Sequence, residues 1–249
     1  MNIIVCVKRV PDSEIRVAIA DDGKTLDSQG IKYVLNPYDE FAVEEALKLR
    51  ETAGEGDVTV MTLGSDDAKE TLRTTLAMGA DQAVLLKGEP SVDGLGTAEK
   101  LAEAIRDREC DLVLFGKQAI DDDNLQVPAM VAELLGLPCA TVVVELEVSD
   151  GKLEAKREIE GAHELVRFEL PGVVAAQKGL NEPRYASLKG IMQAKKKPLE
   201  EVDVGTVESR LEVLELKKPE ERSGGVIVGE GPDAVPTLLQ KLREEAKVL

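Results

Sequence analysis

The chain has 249 residues, of which 43% are hydrophobic, only 2% aromatic and none tryptophan. A chain of this length buries roughly 70–75% of its unfolded surface, so folding requires neither disulfide nor metal, and the core must come from Val, Leu, Ile and Ala. Its formal charge of −17 repels phosphate backbones and excludes a general nucleic-acid role.

Residues 2–7 form a continuous apolar run, the pattern of a strand covered on both faces. The run is too short for a signal peptide or a membrane span, which sets the expectation of a cytoplasmic protein without membrane insertion. A second short strand is expected at 14–20, followed by a turn at Asp21, Asp22 and Gly23. Asn36 and Pro37 open a helix. The Asn36 oxygen is expected to accept from its free N–H groups, and Pro37 loses nothing there by lacking one. Gly54 and Gly56 end that helix, and 57–63 read as the next buried strand. Ser65 is expected to cap a helix that runs to Met78 and stops at Gly79, with Asp66 and Asp67 at its positive end. A strand at 82–86, a helix at 96–108, a strand at 111–115, a loop at 116–123 and a helix at 125–135 continue the alternation. Such an order implies parallel strands joined by right-handed crossovers.

Beyond Pro138 four strand-like stretches, 141–147, 152–158, 164–170 and 173–177, follow without a helix between them. The turn Ser149-Asp150-Gly151 makes the first pair a hairpin, and the group reads as an antiparallel or mixed extension of the sheet. From Leu180 sheet character is lost. Residues 181–220 are polar and Pro-interrupted, with a helical turn near 188–196, and 236–247 form an amphipathic helix. The fold class is α/β: a mostly parallel sheet flanked by helices, with added antiparallel strands and a C-terminal arm. The scattered apolar positions of the tail fit either a loosely packed segment or an arm laid on another subunit. Ordering costs about 1–2 kcal/mol per residue and only burial offsets it.

The segment Gly116, Lys117, Gln118, Ala119, Ile120, Asp121, Asp122, Asp123, Asn124, Leu125, Gln126, Val127 carries the most chemistry. It follows a buried strand and enters a helix, where open α/β sheets bind nucleotides. Three readings stand side by side: helix capping, a loop binding phosphate and sugar through its amides, and a divalent-metal loop. A second exposed-looking stretch holds Tyr185, Leu188, Ile191 and Met192 beside Lys195, Lys196 and Lys197. The lysines suit either a solvated helix end or, with the apolar tip, a small docking interface. His163, the only histidine, has no activating neighbour, and Cys6, Cys110 and Cys139 read as reduced, buried thiols.

The stretches VCVKRVPD (5–12), NPYDEFAVEEAL (36–47), LAMGAD (76–81), LVLFGKQAIDDD (112–123), KREIEG (156–161), LPGVVAA (170–176) and LNEPRYASLKGIMQAKKK (180–197) resemble the beta subunits of electron-transfer flavoproteins over essentially the whole chain. The resemblance implies a subunit without independent catalysis. It would hold a redox-inert AMP, while the redox FAD lies mainly in a mobile domain of the alpha subunit. It implies nucleotide contacts at Cys6, Asn36, Pro37, Tyr38, Asp39, Leu63 and 116–127, with Cys6 and Leu63 replacing the small residues of relatives. It makes 180–197 a recognition loop whose anchor Leu188 enters a pocket on acyl-CoA dehydrogenases or related flavin dehydrogenases. Electrons would then pass to electron-transfer flavoprotein–quinone oxidoreductase, as in fatty acid beta-oxidation. Residues 195–197 match a segment methylated in some relatives, and Ser13 stands where some carry an aromatic beside the flavin. On this basis residues 1–180 form the nucleotide-binding domain, and 181–249 the recognition loop and an arm packing on the alpha subunit. Bifurcating members hold a second FAD in place of AMP. Asp121–Asp123 and NEPRY favour the AMP type, whereas DGLGT at 93–97 partly matches the other.

Overall fold

The computed structural model describes residues 1–89, 93–219 and 224–249; residue 220, the end of the polar stretch above, lies outside them. Contacts divide the chain into two units, Met1–Leu214 and Glu215–Leu249.

The first unit is built on a nine-stranded sheet of order β11-β5-β4-β1-β6-β10-β7-β8-β9. Its strands are β1 (Ile3–Cys6), β4 (Val58–Gly64), β5 (Gln82–Lys87), β6 (Leu112–Gly116), β7 (Cys139–Ser149), β8 (Lys152–Ile159), β9 (Ala162–Glu169), β10 (Gly172–Ala176) and β11 (Leu199–Asp203). Strands β11 to β7 in that order pair in parallel, and β7-β8-β9 pair antiparallel. A separate two-stranded ladder joins β2 (Arg9–Pro11) to β3 (Tyr33–Leu35). The helices are α1 (Pro37–Ala53), α2 (Ala68–Met78), α3 (Gly94–Arg106), α4 (Val127–Leu135) and the short α5 (Leu188–Ala194). In the second unit a 3₁₀ turn, Pro232–Ala234, leads into α6 (Val235–Glu244).

Every residue of β1, β4, β6 and β10 is buried. Alternation along β1 then sends Ile3 and Val5 to one core, with α1 and α2, and Ile4 and Cys6 to the other, with α3 and α4. Pro37 opens α1, and Gly54 closes it in the left-handed conformation, its N–H on the Arg50 carbonyl.

Several expectations change. No strand forms at 14–20, where only an isolated bridge links Ile19 to Leu26. The strands of that region are instead β2 and β3, on either side of it. Helix α2 starts at Ala68 with Asp67 at its N-cap and no side-chain cap bond, so Ser65 contributes its carbonyl, not its hydroxyl. The chain does not leave the sheet at Leu180. β11 (LEEVD) adds to the edge beside β5. Its sequence hides this because an edge strand carries charge: Glu200 pairs with Arg108 at 3.0 Å and Glu201 with Lys69 at 2.8 Å. The last strand of the extension, β10, turns back and inserts in parallel between β6 and β7.

Leu114 is wholly buried at the middle of β6, while Leu165 lies exposed on β9. Leu114→Ala should cost about 2–5 kcal/mol in urea unfolding and Leu165→Ala under about 0.5 kcal/mol. Equal costs would overturn the placing of β6 at the centre.

Candidate functional site

From β1 the sheet grows towards β4 on one side and towards β6 and β10 on the other. Such a switch point leaves a crevice beyond the carboxyl ends of the strands. Here it is a cavity of about 380 Å³. The strand ends supply Cys6, Val7 and Lys8 from β1, Leu63 and Gly64 from β4, and Phe115 and Gly116 from β6. Three helices present their first residues: Ser65 and Ala68 at α2, Gly94 and Thr97 at α3, Gln126 and Val127 at α4. A helix start concentrates unpaired N–H groups and positive dipole, so the cavity favours an anion.

Asp39 fastens the crevice. Its buried carboxyl accepts the Lys8 N–H at 2.7 Å, the Gly116 N–H at 3.1 Å and the Asn36 amide at 2.9 Å. Burial pushes its pKa from 3.8 up to about 7, against the pull of those donors and of Lys8. Asn36 does not cap its helix. Its Nδ2 also donates to the Gln118 carbonyl at 2.8 Å, and its Oδ1 accepts the Ile120 N–H at 3.2 Å. The carboxamide thus ties the loop to α1. A Cβ on Gly116 would strike the Asp39 carboxyl and the Tyr38–Asp39 peptide, so only glycine fits there.

The three aspartates face away from helix capping. Lys8 Nζ pairs with Asp121 at 2.8 Å and Asp122 at 3.2 Å. Burial pushes the Lys8 ammonium down, but these two carboxylates outweigh it and leave its pKa raised. Asp122 also accepts the Asn124 N–H, and Asp123 the Gln118 side-chain amide. Helix α4 begins without a side-chain cap at Gln126. Asp123 and Leu125 have φ of 51° and 56°. A non-glycine residue there costs about 1–3 kcal/mol, a strain often kept at ligand clamps. Among the described residues no three His, Cys, Asp or Glu side chains converge as a metal site.

Of the residues singled out in the sequence, Cys6, Asn36, Asp39, Leu63, Gly116, Lys117, Gln118, Ala119, Asp122, Asn124, Leu125, Gln126 and Val127 line the cavity. Pro37, Tyr38, Ile120, Asp121 and Asp123 do not line it. Tyr38 lies under the Lys117 ammonium at 5.0 Å. Sequence reasoning missed Lys8, Arg9 and Tyr33, whose cation–π contact spans 3.7 Å. The signal was the basic pair Lys8-Arg9 where β2 begins. Burial raises the Cys6 thiol well above its usual pKa, with Cys110 and Asp39 adding to it, and puts Cys110 at about 11; all three cysteines are free thiols. His163 is exposed on β9.

The second constellation is an apolar ridge on a braced loop. Tyr185 is 98% exposed, Leu188 85%, Met192 72% and Ile191 47%. Lys195 and Lys196 are exposed beside them. Arg184, just before the ridge, grips α1. Its guanidinium meets the buried Glu44 carboxylate at 2.8 and 3.0 Å and Glu51 at 2.6 and 3.1 Å. These partners raise the Arg184 pKa further. Asn181 donates to the Phe41 carbonyl at 2.9 Å and to Glu45 at 2.8 Å. Lys197 departs from the solvated lysine run, because its Nζ donates to the Leu76 and Ala80 carbonyls at 3.0 and 2.6 Å.

Fold and crevice together define an α/β scaffold with a cavity at the sheet's switch point and an exposed apolar loop. The electron transfer flavoprotein domain matches residues 23–207. The chain is 42% identical to electron transfer flavoprotein subunit beta of Bacillus subtilis and 43% identical to that of Bradyrhizobium diazoefficiens, each over the full length of both proteins. It is 38% identical to the human subunit beta, covering all of this chain and 99% of the human one. The chain belongs to the electron transfer flavoprotein family, and its role is that of a beta subunit in electron transfer. No helix among the described residues is long and apolar enough to cross a membrane.

A folded-state pKa of about 7 for Asp39 lies above the unfolded value of about 3.9. The stability from this group is therefore complete below pH ~4 and lost as pH rises through about 7. A ¹³C NMR titration of the Asp39 carboxyl in the nucleotide-free chain should show a midpoint near 7. A midpoint near 4 would refute the desolvated site.

Proposed function

We propose that the cavity holds AMP and that the chain docks electron donors for a heterodimer whose alpha subunit carries the redox FAD. The observation that carries the nucleotide reading is the uncapped start of α4 facing the cavity, beside the first residues of α3 and α2. Backbone at Gln126, Val127 and Gly94 suits a phosphate. Lys8 pairs with Asp121 and Asp122 and offsets part of the charge that would otherwise repel one. A cavity of about 380 Å³ is in the range for a small ligand, roughly 300–1,000 Å³. AMP is redox-inert and supplies no chemistry when bound. Held only by the folded state at about a hundred times its Kd, it adds roughly 2.7 kcal/mol.

In this reading the chain performs no catalysis alone. Residues 1–180 hold the nucleotide, and 181–249 supply the recognition loop and an arm that packs on the alpha subunit. Leu188 anchors the loop in a pocket on acyl-CoA dehydrogenases or related flavin dehydrogenases, with Tyr185, Ile191, Met192, Lys195 and Lys196 around it. Electrons then leave for electron-transfer flavoprotein–quinone oxidoreductase. A cytoplasmic setting suits the free thiols.

The bifurcating alternative, a second FAD in place of AMP, draws on one observation. Gly94 and Thr97 of the DGLGT segment line the cavity, and an open hollow of about 550 Å³ adjoins it at Gly64, Ser65 and Glu89. Chromatography of nucleotides released from the denatured heterodimer separates the two. One FAD and one AMP are expected. Two FAD establish the alternative, and a homodimer releasing ATP sinks both.

For docking, Leu188→Ala should raise the KM of an acyl-CoA dehydrogenase for the heterodimer about tenfold while the flavin spectrum and assembly persist. Unaltered kinetics would strip Leu188 of its role.

A further inference from the structure

The rear of the docking loop is built as an exchange of helix caps. Helix α2 ends at Met78, and the carbonyls of Leu76 and Ala80 receive the Lys197 ammonium at 3.0 and 2.6 Å. In return Arg73, on α2, sends one guanidinium nitrogen to the carbonyl of Ala194, the last residue of α5, and to the carbonyl of Lys197 at 3.1 Å. Lys197, three residues beyond the end of α5, thus places a cation at the negative end of α2, and Arg73 of α2 places one at that of α5. Between them a Cβ on Gly190 would collide with the Ala77 carbonyl, so α5 lies directly on α2. Ala194 is buried in the same contact. Burial lowers the Lys197 pKa.

Leu188, Ile191 and Met192 are all residues of α5. A seven-residue helix has too few internal bonds to hold its own shape in water. What holds its apolar face outward must be its fastening to α2. We propose that Lys197 and Arg73 are positioning residues for docking: they preorganise the ridge, and within the lysine run only Lys195 and Lys196 act as charges towards a partner. The inference rests on the docking reading above. Preorganisation lowers the cost of ordering at contact, so its loss falls on binding and spares the electron-transfer step.

The test is a double-mutant cycle on the assembled heterodimer, reduced by a flavin dehydrogenase at several ionic strengths. Lys197→Met keeps the aliphatic stem and removes the caps. It should raise KM about tenfold with kcat unchanged. In a Leu188→Ala background it should add less than about twofold, because the anchor it positions is already gone. Arg73→Met should behave alike, and Lys197→Arg should recover most of the loss. Lys195→Met with Lys196→Met should instead raise KM in both backgrounds and lose that effect in high salt.

A folded Lys197→Met heterodimer with normal KM, beside an impaired Leu188→Ala, overturns this inference alone. So does a Lys197→Met effect that simply adds to Leu188→Ala or vanishes with salt. Should Lys197→Met fail to assemble, the same criteria apply to Arg73→Met. A normal KM for Leu188→Ala overturns the docking reading, and this inference with it.

Discussion

Asp39 sits where three segments that are distant in sequence must meet. Its carboxyl holds the second residue past β1, the last residue of β6 and the N-cap residue of α1. Two parallel strands diverge at a switch point, and their backbone ends there would otherwise be unpaired and buried. An unmet buried N–H costs about 1–3 kcal/mol, so one acceptor serving two strand ends settles their geometry. The same arrangement fixes Gly116, because the carboxyl occupies the volume any side chain would need. It also leaves Lys8 with its ammonium aimed at Asp121 and Asp122. The acidic loop is thereby folded onto the basic end of β1, where one ammonium offsets part of its charge.

The exposed apolar ridge, proposed to dock a partner, solves an opposite problem. Exposed Tyr185, Leu188 and Met192 contribute nothing to folding. Their shape has to come from polar bonds beneath them, and these bind both flanks. Arg184 and Asn181 hold the approach to α1, while Lys197 and Arg73 hold the exit to α2. Arg suits the first position, because its planar fork satisfies two carboxylates at once. Lysine suits the last, where a point charge must reach two converging carbonyls. The acidic chain therefore shows an apolar ridge edged by the exposed Lys195 and Lys196.

The parallel core was legible because unbroken apolar runs such as IIVC in β1 and VTVMTLG in β4 are buried on both faces. That the loop 116–127 borders the cavity was legible from its place after β6. What stayed hidden shares one cause, tertiary partners that reassign a local signal. Asn36 has the residue type of a cap yet spends both ends of its amide on Asp39 and the loop. Lys197 sits in a run that reads as solvated, and only the approach of α2 reveals its acceptors. β11 has no apolar period, since its register comes from β5. The ladder of β2 and β3 pairs residues across some twenty intervening positions, a separation at which no short window carries a signal.

The second unit argues for company on energetic grounds. Helix α6 buries none of its residues, and Val226 and Ile227 are 79% and 87% exposed. Holding a residue in one backbone conformation costs about 1–2 kcal/mol, and a ten-residue helix in water is marginal. Within Glu215–Leu249 little apolar burial offsets that cost. α6 nevertheless has a one-sided pattern, with Leu238 and Leu239 together and Lys241 and Arg243 in its last turn. Apolar residues on a face that is not covered are what the proposed arm on another subunit would use. The proposed alpha subunit provides the covering surface, and the cost of ordering the arm then becomes part of the free energy of assembly.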